Sequence, residues 1–82
     1  MHITSEQIRA ARALLRWEQK DLAEKSGVSL PSIKRLEGTR GPLAAHGRTI
    51  AALQDALEAG GVVFLAEGDA APGGLGVRLA GE

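Results

Sequence analysis

Residues 19–38, QKDLAEKSGVSLPSIKRLEG, leave the chain few ways to fold. Gly27 divides two short segments of helical character. Before it, Leu22 and Ala23 face one side of a helix expected over Gln19–Ser26. After it, Ser29 has the side chain of an N-cap, and Pro31 sits in a first turn, where a missing N–H costs nothing. Ile33 and Leu36 follow at helical spacing, so a second helix is expected over Leu30–Glu37, closed by Gly38. Two helices joined by such a short turn pack near a right angle only where their crossing point is small. Ala23 supplies the small contact. Gly27 supplies the left-handed turn, because a residue without Cβ adopts positive φ without penalty. Leu22, Val28, Ile33 and Leu36 form the apolar wedge beneath both helices.

The flanking sequence reads as further helix and then a hairpin. Thr4 and Gln7 have capping-box spacing, and Ile8, Ala11 and Leu15 follow on one face, giving a first helix that runs to about Trp17. Gly38–Gly47 holds Gly38, Gly41, Pro42 and Gly47 and reads as a loop with a short turn at Pro42–Ala45. Arg48–Ala59 is amphipathic through Ile50, Leu53 and Leu57, and Gly60-Gly61 ends it. Val62–Ala66 favours a strand, 67–76 a turn or loop, and Val77–Leu79 a second strand. The expected fold is mainly α: a compact domain of four or five helices over 1–60, with a small C-terminal β-hairpin or tail over 61–82. Val62–Leu65 either pairs with Val77–Leu79 in its own chain or pairs across a dimer.

At 82 residues there is room for one core. The absence of cysteine excludes disulfides and thiolate metal sites, and His2 and His46 lack ligand-pair spacing. No cofactor is expected. No apolar run approaches the roughly 20 residues of a membrane helix, and no signal-peptide pattern opens the chain, so a cytoplasmic protein is expected. Ser5, Ser26 and Ser29 have no acid and histidine arrangement of a nucleophile, and no motif points to an enzyme. The formal net charge is zero, but residues 1–41 carry eight Lys or Arg against five Asp or Glu, a net +3. Residues 42–82 carry two against five, a net −3. Charge asymmetry between halves is a pointer to nucleic acid.

Gln19, Ala23, Gly27, Ile33 and the ending Leu36-Glu37-Gly38 together resemble the helix-turn-helix of lambda-repressor-like, Cro-type (XRE-family) DNA-binding domains. The resemblance spans roughly Ile8 to Leu57 and joins positions with different stereochemical demands. It implies that Leu30–Glu37 is a recognition helix for the major groove, with Ser29, Leu30, Pro31, Ser32 and Arg35 at base edges. Arg35 is the best base reader, through bidentate pairing with guanine O6 and N7. Leu30 and Pro31 depart from the polar residues often found there; Leu30 either meets a thymine methyl or turns into the core. Gln19, Lys34, Thr39 and Arg40 would hold phosphates. Arg12 and Glu37 would form a structural ion pair joining the first helix to the recognition helix. Trp17 is read as a packing residue at the first corner.

The expected function is therefore a sequence-specific regulator of transcription, a repressor, binding double-stranded DNA as a homodimer. The alternative is an antitoxin-like or adaptor module that grips a protein partner, with DNA binding autoregulatory or absent.

Overall fold

The computed structural model describes residues 2–69 and 72–81. Its elements are α1 (Ser5–Leu15), α2 (Gln19–Ser26), α3 (Leu30–Glu37), α4 (Gly47–Ala59), β1 (Val62–Leu65) and β2 (Gly76–Leu79). The domain is mainly helical, with four helices followed by one antiparallel hairpin.

Local chemistry accounts for the helix starts. Thr4 caps α1: its hydroxyl accepts from the Gln7 N–H at 3.1 Å, and the Gln7 amide oxygen accepts from the Thr4 N–H at 2.9 Å. The Ser29 hydroxyl accepts from the Ser32 N–H at 3.3 Å at the start of α3, with Pro31 in the first turn. Ahead of α2, Glu18 donates its N–H to the Asp21 carboxylate at 2.8 Å. α2 ends at Gly27 with φ +75°, the left-handed conformation the turn requires.

One core serves the described residues. Ile8 and Ala11 of α1, Leu22 of α2, Ile33 and Leu36 of α3, and Leu53 and Leu57 of α4 are buried in it with Val62 and Phe64 of β1. Ala23 and Val28 pack against its margin at the α2–α3 corner. The pairing of β1 lies within the chain, Val62 opposite Leu79 and Phe64 opposite Val77. The hairpin is bound to α1 by Gln7, whose Nε2 donates to the Leu65 carbonyl at 3.3 Å and to the Gly76 carbonyl at 3.1 Å.

Three details differ from the sequence reading. α1 stops at Leu15, because Arg16 turns to φ +58° and Trp17 leaves the helix axis. Residues 42–45 form no turn: Pro42 bridges to Thr4 in extended conformation, and Leu43 donates its N–H to the Ile3 carbonyl and is buried. Single-residue shifts affect the last three elements: α4 begins at Gly47 and not Arg48, β1 ends at Leu65 and not Ala66, and β2 begins at Gly76 and not Val77. The first two have one cause, since the extended 42–45 segment and the left-handed Arg16 each direct an apolar residue back onto the bundle.

Trp17 lies against the end of α4. A Cβ at Gly60 would stand 2.7 Å from the Trp17 ring and 2.9 Å from a Leu15 methyl. Gly60→Ala is expected to cost about 1–3 kcal/mol, because a rigid indole and a packed leucine must both move. Gly27→Ala meets no neighbour within 4 Å but must hold φ +75°, and is expected to cost about 1 kcal/mol. Urea unfolding of the two variants checks the order.

Candidate nucleic-acid interface

α3 divides sharply into two faces. Ile33, Leu36 and Glu37 are buried, whereas Pro31, Lys34 and Arg35 are exposed. Lys34 and Arg35 make no ion pair with any described residue. The exposed face thus carries two free cations and no carboxylate.

The buried face holds a charge, and its partners come from two other helices. Glu37 is 5% exposed, and isolated burial of a carboxylate is strongly unfavourable. Arg12 answers it bidentately, Nε to Oε2 at 2.7 Å and Nη2 to Oε1 at 2.6 Å. The remaining Arg12 Nη1 donates to the Trp17 carbonyl at 3.0 Å, which ties the α1–α2 corner to the same guanidinium. Gln19 Nε2 adds a donor to Glu37 Oε1 at 3.1 Å. The Glu37 main chain is also held: its carbonyl accepts from the Ser5 hydroxyl at 3.2 Å and from Arg9 Nη1. A helix end normally leaves its last carbonyls to water, and here α1 supplies the donors. No buried polar side-chain atom among the described residues lacks a hydrogen-bond partner.

The residues singled out from sequence fall into three groups. Ser29, Ser32 and Arg35 line a hollow between the start of α3 and the start of α4. Gln19, Leu30 and Lys34 line a second, smaller groove on the other side of α3, together with Arg12, Lys20 and the acidic Glu18. Thr39 and Arg40 lie beyond the helix and line neither. Thr39 donates its hydroxyl to the Leu36 carbonyl at 3.0 Å, finishing the helix. Leu30 is half-buried over the Gln19 groove and stands outside the core cluster. Pro31 projects to solvent. Ser29 and Ser32 are hydrogen-bonded to each other at 2.8 Å, so each still has lone pairs for a further partner.

Sequence reasoning gave no DNA-contacting role to Ser26, Arg48 and Thr49, which also line the first hollow, beside the exposed His46. Arg48 and Thr49 lie in the first turn of α4, whose N-cap His46 makes no side-chain cap, so that turn keeps N–H groups for other acceptors. The signal was present in Gly47-Arg48-Thr49 opening a helix. What was missing was the packing of α2 against α4 that brings that opening beside Ser29.

Among the described residues no group of three or more His, Cys, Asp or Glu is placed to hold a metal ion, and no helix is long and apolar enough to cross a membrane. No protein-family model matches the chain, and no curated protein matches it.

The 38–41 loop that carries Thr39 and Arg40 is fastened by Glu6, whose carboxylate accepts from the Gly41 N–H at 3.1 Å. Hydrogen bonds from its own backbone N–H and from Gly41, then the charges of Arg9 and Arg40, hold the Glu6 carboxyl below its usual value. A carboxyl whose pKa is lower in the folded chain contributes stability above its unfolded value, and that contribution fades as pH falls through the folded value. The contribution is therefore full near neutrality and declines below about pH 4. Unfolding midpoints measured against pH should show wild type losing ground to Glu6→Gln as the pH drops from 5 to 3.

Proposed function

We propose that this protein is a DNA-binding regulator of the lambda-repressor-like, Cro-type helix-turn-helix class, reading double-stranded DNA with α3 and acting as a homodimer. The observation that carries the reading is the division of α3: an outer face with two unpaired cations, and an inner face clamped through Glu37. A helix held in that way presents a fixed ridge, and a ridge of this width enters a major groove of about 12 Å.

The two grooves flanking α3 support the same reading. A duplex backbone passing either side of a helix in the major groove would meet Ser29, Arg48 and Thr49 on one flank, and Gln19, Lys20 and Lys34 on the other. These are hydroxyls, amides, cations and, at α4, an uncapped helix N-terminus, the donors that contact phosphate; the Glu18 carboxylate beside Gln19 opposes them on the second flank. Arg35, on the exposed face between them, is the residue with the geometry to pair with guanine. Leu30 and Pro31 give the ridge an apolar leading edge suited to thymine methyls. With few base-edge donors, sequence preference would come partly from duplex shape. Two copies are required because one eight-residue helix buries too little surface for tight specific binding.

Selection of bound sequences from a random duplex pool, for wild type and Arg35→Ala, tests the assignment. Wild type is expected to enrich a motif, and Arg35→Ala to lose about 1–3 kcal/mol of affinity and relax one position of it. Lys34→Ala should weaken all sequences alike and reduce the salt slope by about one. A wild-type protein that enriches nothing, with no salt-dependent binding to duplex, would rule the reading out.

A further inference from the structure

The 38–41 loop is pinned at both ends to the start of α1. Before it, the Glu37 carbonyl accepts from the Ser5 hydroxyl at 3.2 Å and from Arg9 Nη1. At its end, the Gly41 carbonyl accepts from the Ser5 N–H at 2.9 Å, and the Gly41 N–H donates to the Glu6 carboxylate at 3.1 Å. Arg9 Nη2 stands 3.7 Å from that carboxylate, so the two anchors are joined to each other. Beyond Gly41 the chain stays on the same surface, Pro42 bridging to Thr4 and Leu43 bonding to Ile3. Only Gly38, Thr39 and Arg40 are left between the anchors, and all three are exposed.

What this short span presents is cationic and rich in donors. Arg40 forms no ion pair with any described residue. The N–H groups of Thr39 and Arg40 meet no backbone acceptor among the described residues. Cations and backbone N–H groups are what contact duplex phosphates, and these lie directly after α3 while lining neither of its grooves. Glu6 is the anomaly. It is an exposed carboxylate at the foot of this loop, with Arg40 among the charges near it, and a polyanion is repelled by it.

We infer that Glu6 is a positioning residue for DNA binding: by accepting the Gly41 N–H it fixes the 38–41 loop so that Arg40 and the open N–H groups of Thr39 and Arg40 meet a backbone phosphate already in place. The inference rests on the DNA reading of α3 and adds to it a residue that does not itself touch the duplex. A loop fixed at both ends gives up little conformational freedom on binding, so its contacts retain most of their strength. The opposing repulsion is modest. One solvent-exposed carboxylate paired with Arg9 acts on phosphate through water and salt, which screen it. The two effects have opposite signs, so substitution of Glu6 shows which one prevails.

Charge alone requires Glu6→Ala to bind duplex more tightly than wild type, whereas positioning requires it to bind more weakly. Affinity for a duplex selected by the wild-type protein is measured over a series of salt concentrations, with helical circular dichroism equal to wild type as the check on folding. Arg40→Ala is expected to weaken binding on the order of three- to tenfold and to lower the salt slope by about one. Glu6→Ala is expected to reproduce both effects, although it removes a negative charge. Glu6→Gln keeps an acceptor for the Gly41 N–H and should bind at least as tightly as wild type. In the Glu6→Ala/Arg40→Ala double variant the losses should fall well short of their sum, because both act through one contact. A Glu6→Ala protein that binds as tightly as wild type, or tighter, overturns the inference and leaves the DNA reading standing. So does a Glu6→Gln protein as weak as Glu6→Ala, or a Glu6→Ala loss undiminished in the Arg40→Ala background. A wild-type protein with no salt-dependent binding to duplex removes the DNA reading itself, and this inference falls with it.

Discussion

The contact on which the rest of the structure depends is the grip of α1 on Glu37. Both the side chain and the main chain of this last residue of α3 are bound, the carboxylate by Arg12 and Gln19 and the carbonyl by Ser5 and Arg9. A buried ion pair need not add net stability over an apolar pair of the same shape, but it is directional, and removing one partner is costly. Its value here lies in orientation. An eight-residue helix has little intrinsic stability of its own, and α3 is held at its start by Ser29 and along its length by Ile33 and Leu36. Glu37 fixes the remaining freedom, rotation and tilt about that apolar contact.

The hairpin braces α1 from the other side. Gln7 completes the capping box of α1 with its amide oxygen and holds both strands with its amide nitrogen. The helix that grips α3 is therefore itself anchored at its first turn by β1 and β2. At its far end the chain turns through Arg16, and Trp17 closes against Gly60, with the Lys25 ammonium 5.2 Å above the ring. The outer face of α3 bears none of these contacts. Structural work is concentrated on α1, which leaves α3 free to present Lys34 and Arg35 outward.

Features set by neighbours in sequence were legible before any coordinates. The Thr4–Gln7 box, the turn at Gly27, the Ser29 cap and the apolar spacing within each helix each follow from a few adjacent residues, and the helix bounds agree closely. The Arg12–Glu37 contact was legible only through resemblance to a known domain class, because nothing local links residues so far apart in the chain. Leu43 was missed because a single buried leucine in an extended loop has no period. The stop at Leu15 was missed because Arg16 and Trp17 are ordinary helix residues, and the left-handed turn at Arg16 goes with a long-range contact, Trp17 against Gly60, that no local pattern reveals. At the candidate site, the hollow beside Ser29 includes Arg48 and Thr49, and only the packing of α2 on α4 brings them there.

Amide hydrogen exchange in Arg12→Met tests the central role of Glu37 most directly, since methionine keeps the packing and removes the charge. Local opening is read residue by residue, and each tenfold change in protection corresponds to about 1.4 kcal/mol. The account predicts that amides of Ile33 to Glu37 lose at least about tenfold more protection than those of Leu53 to Leu57 in α4. Equal loss of protection in α3 and α4 would mean that the ion pair supports the domain as a whole and does not set the pose of α3, and would contradict it.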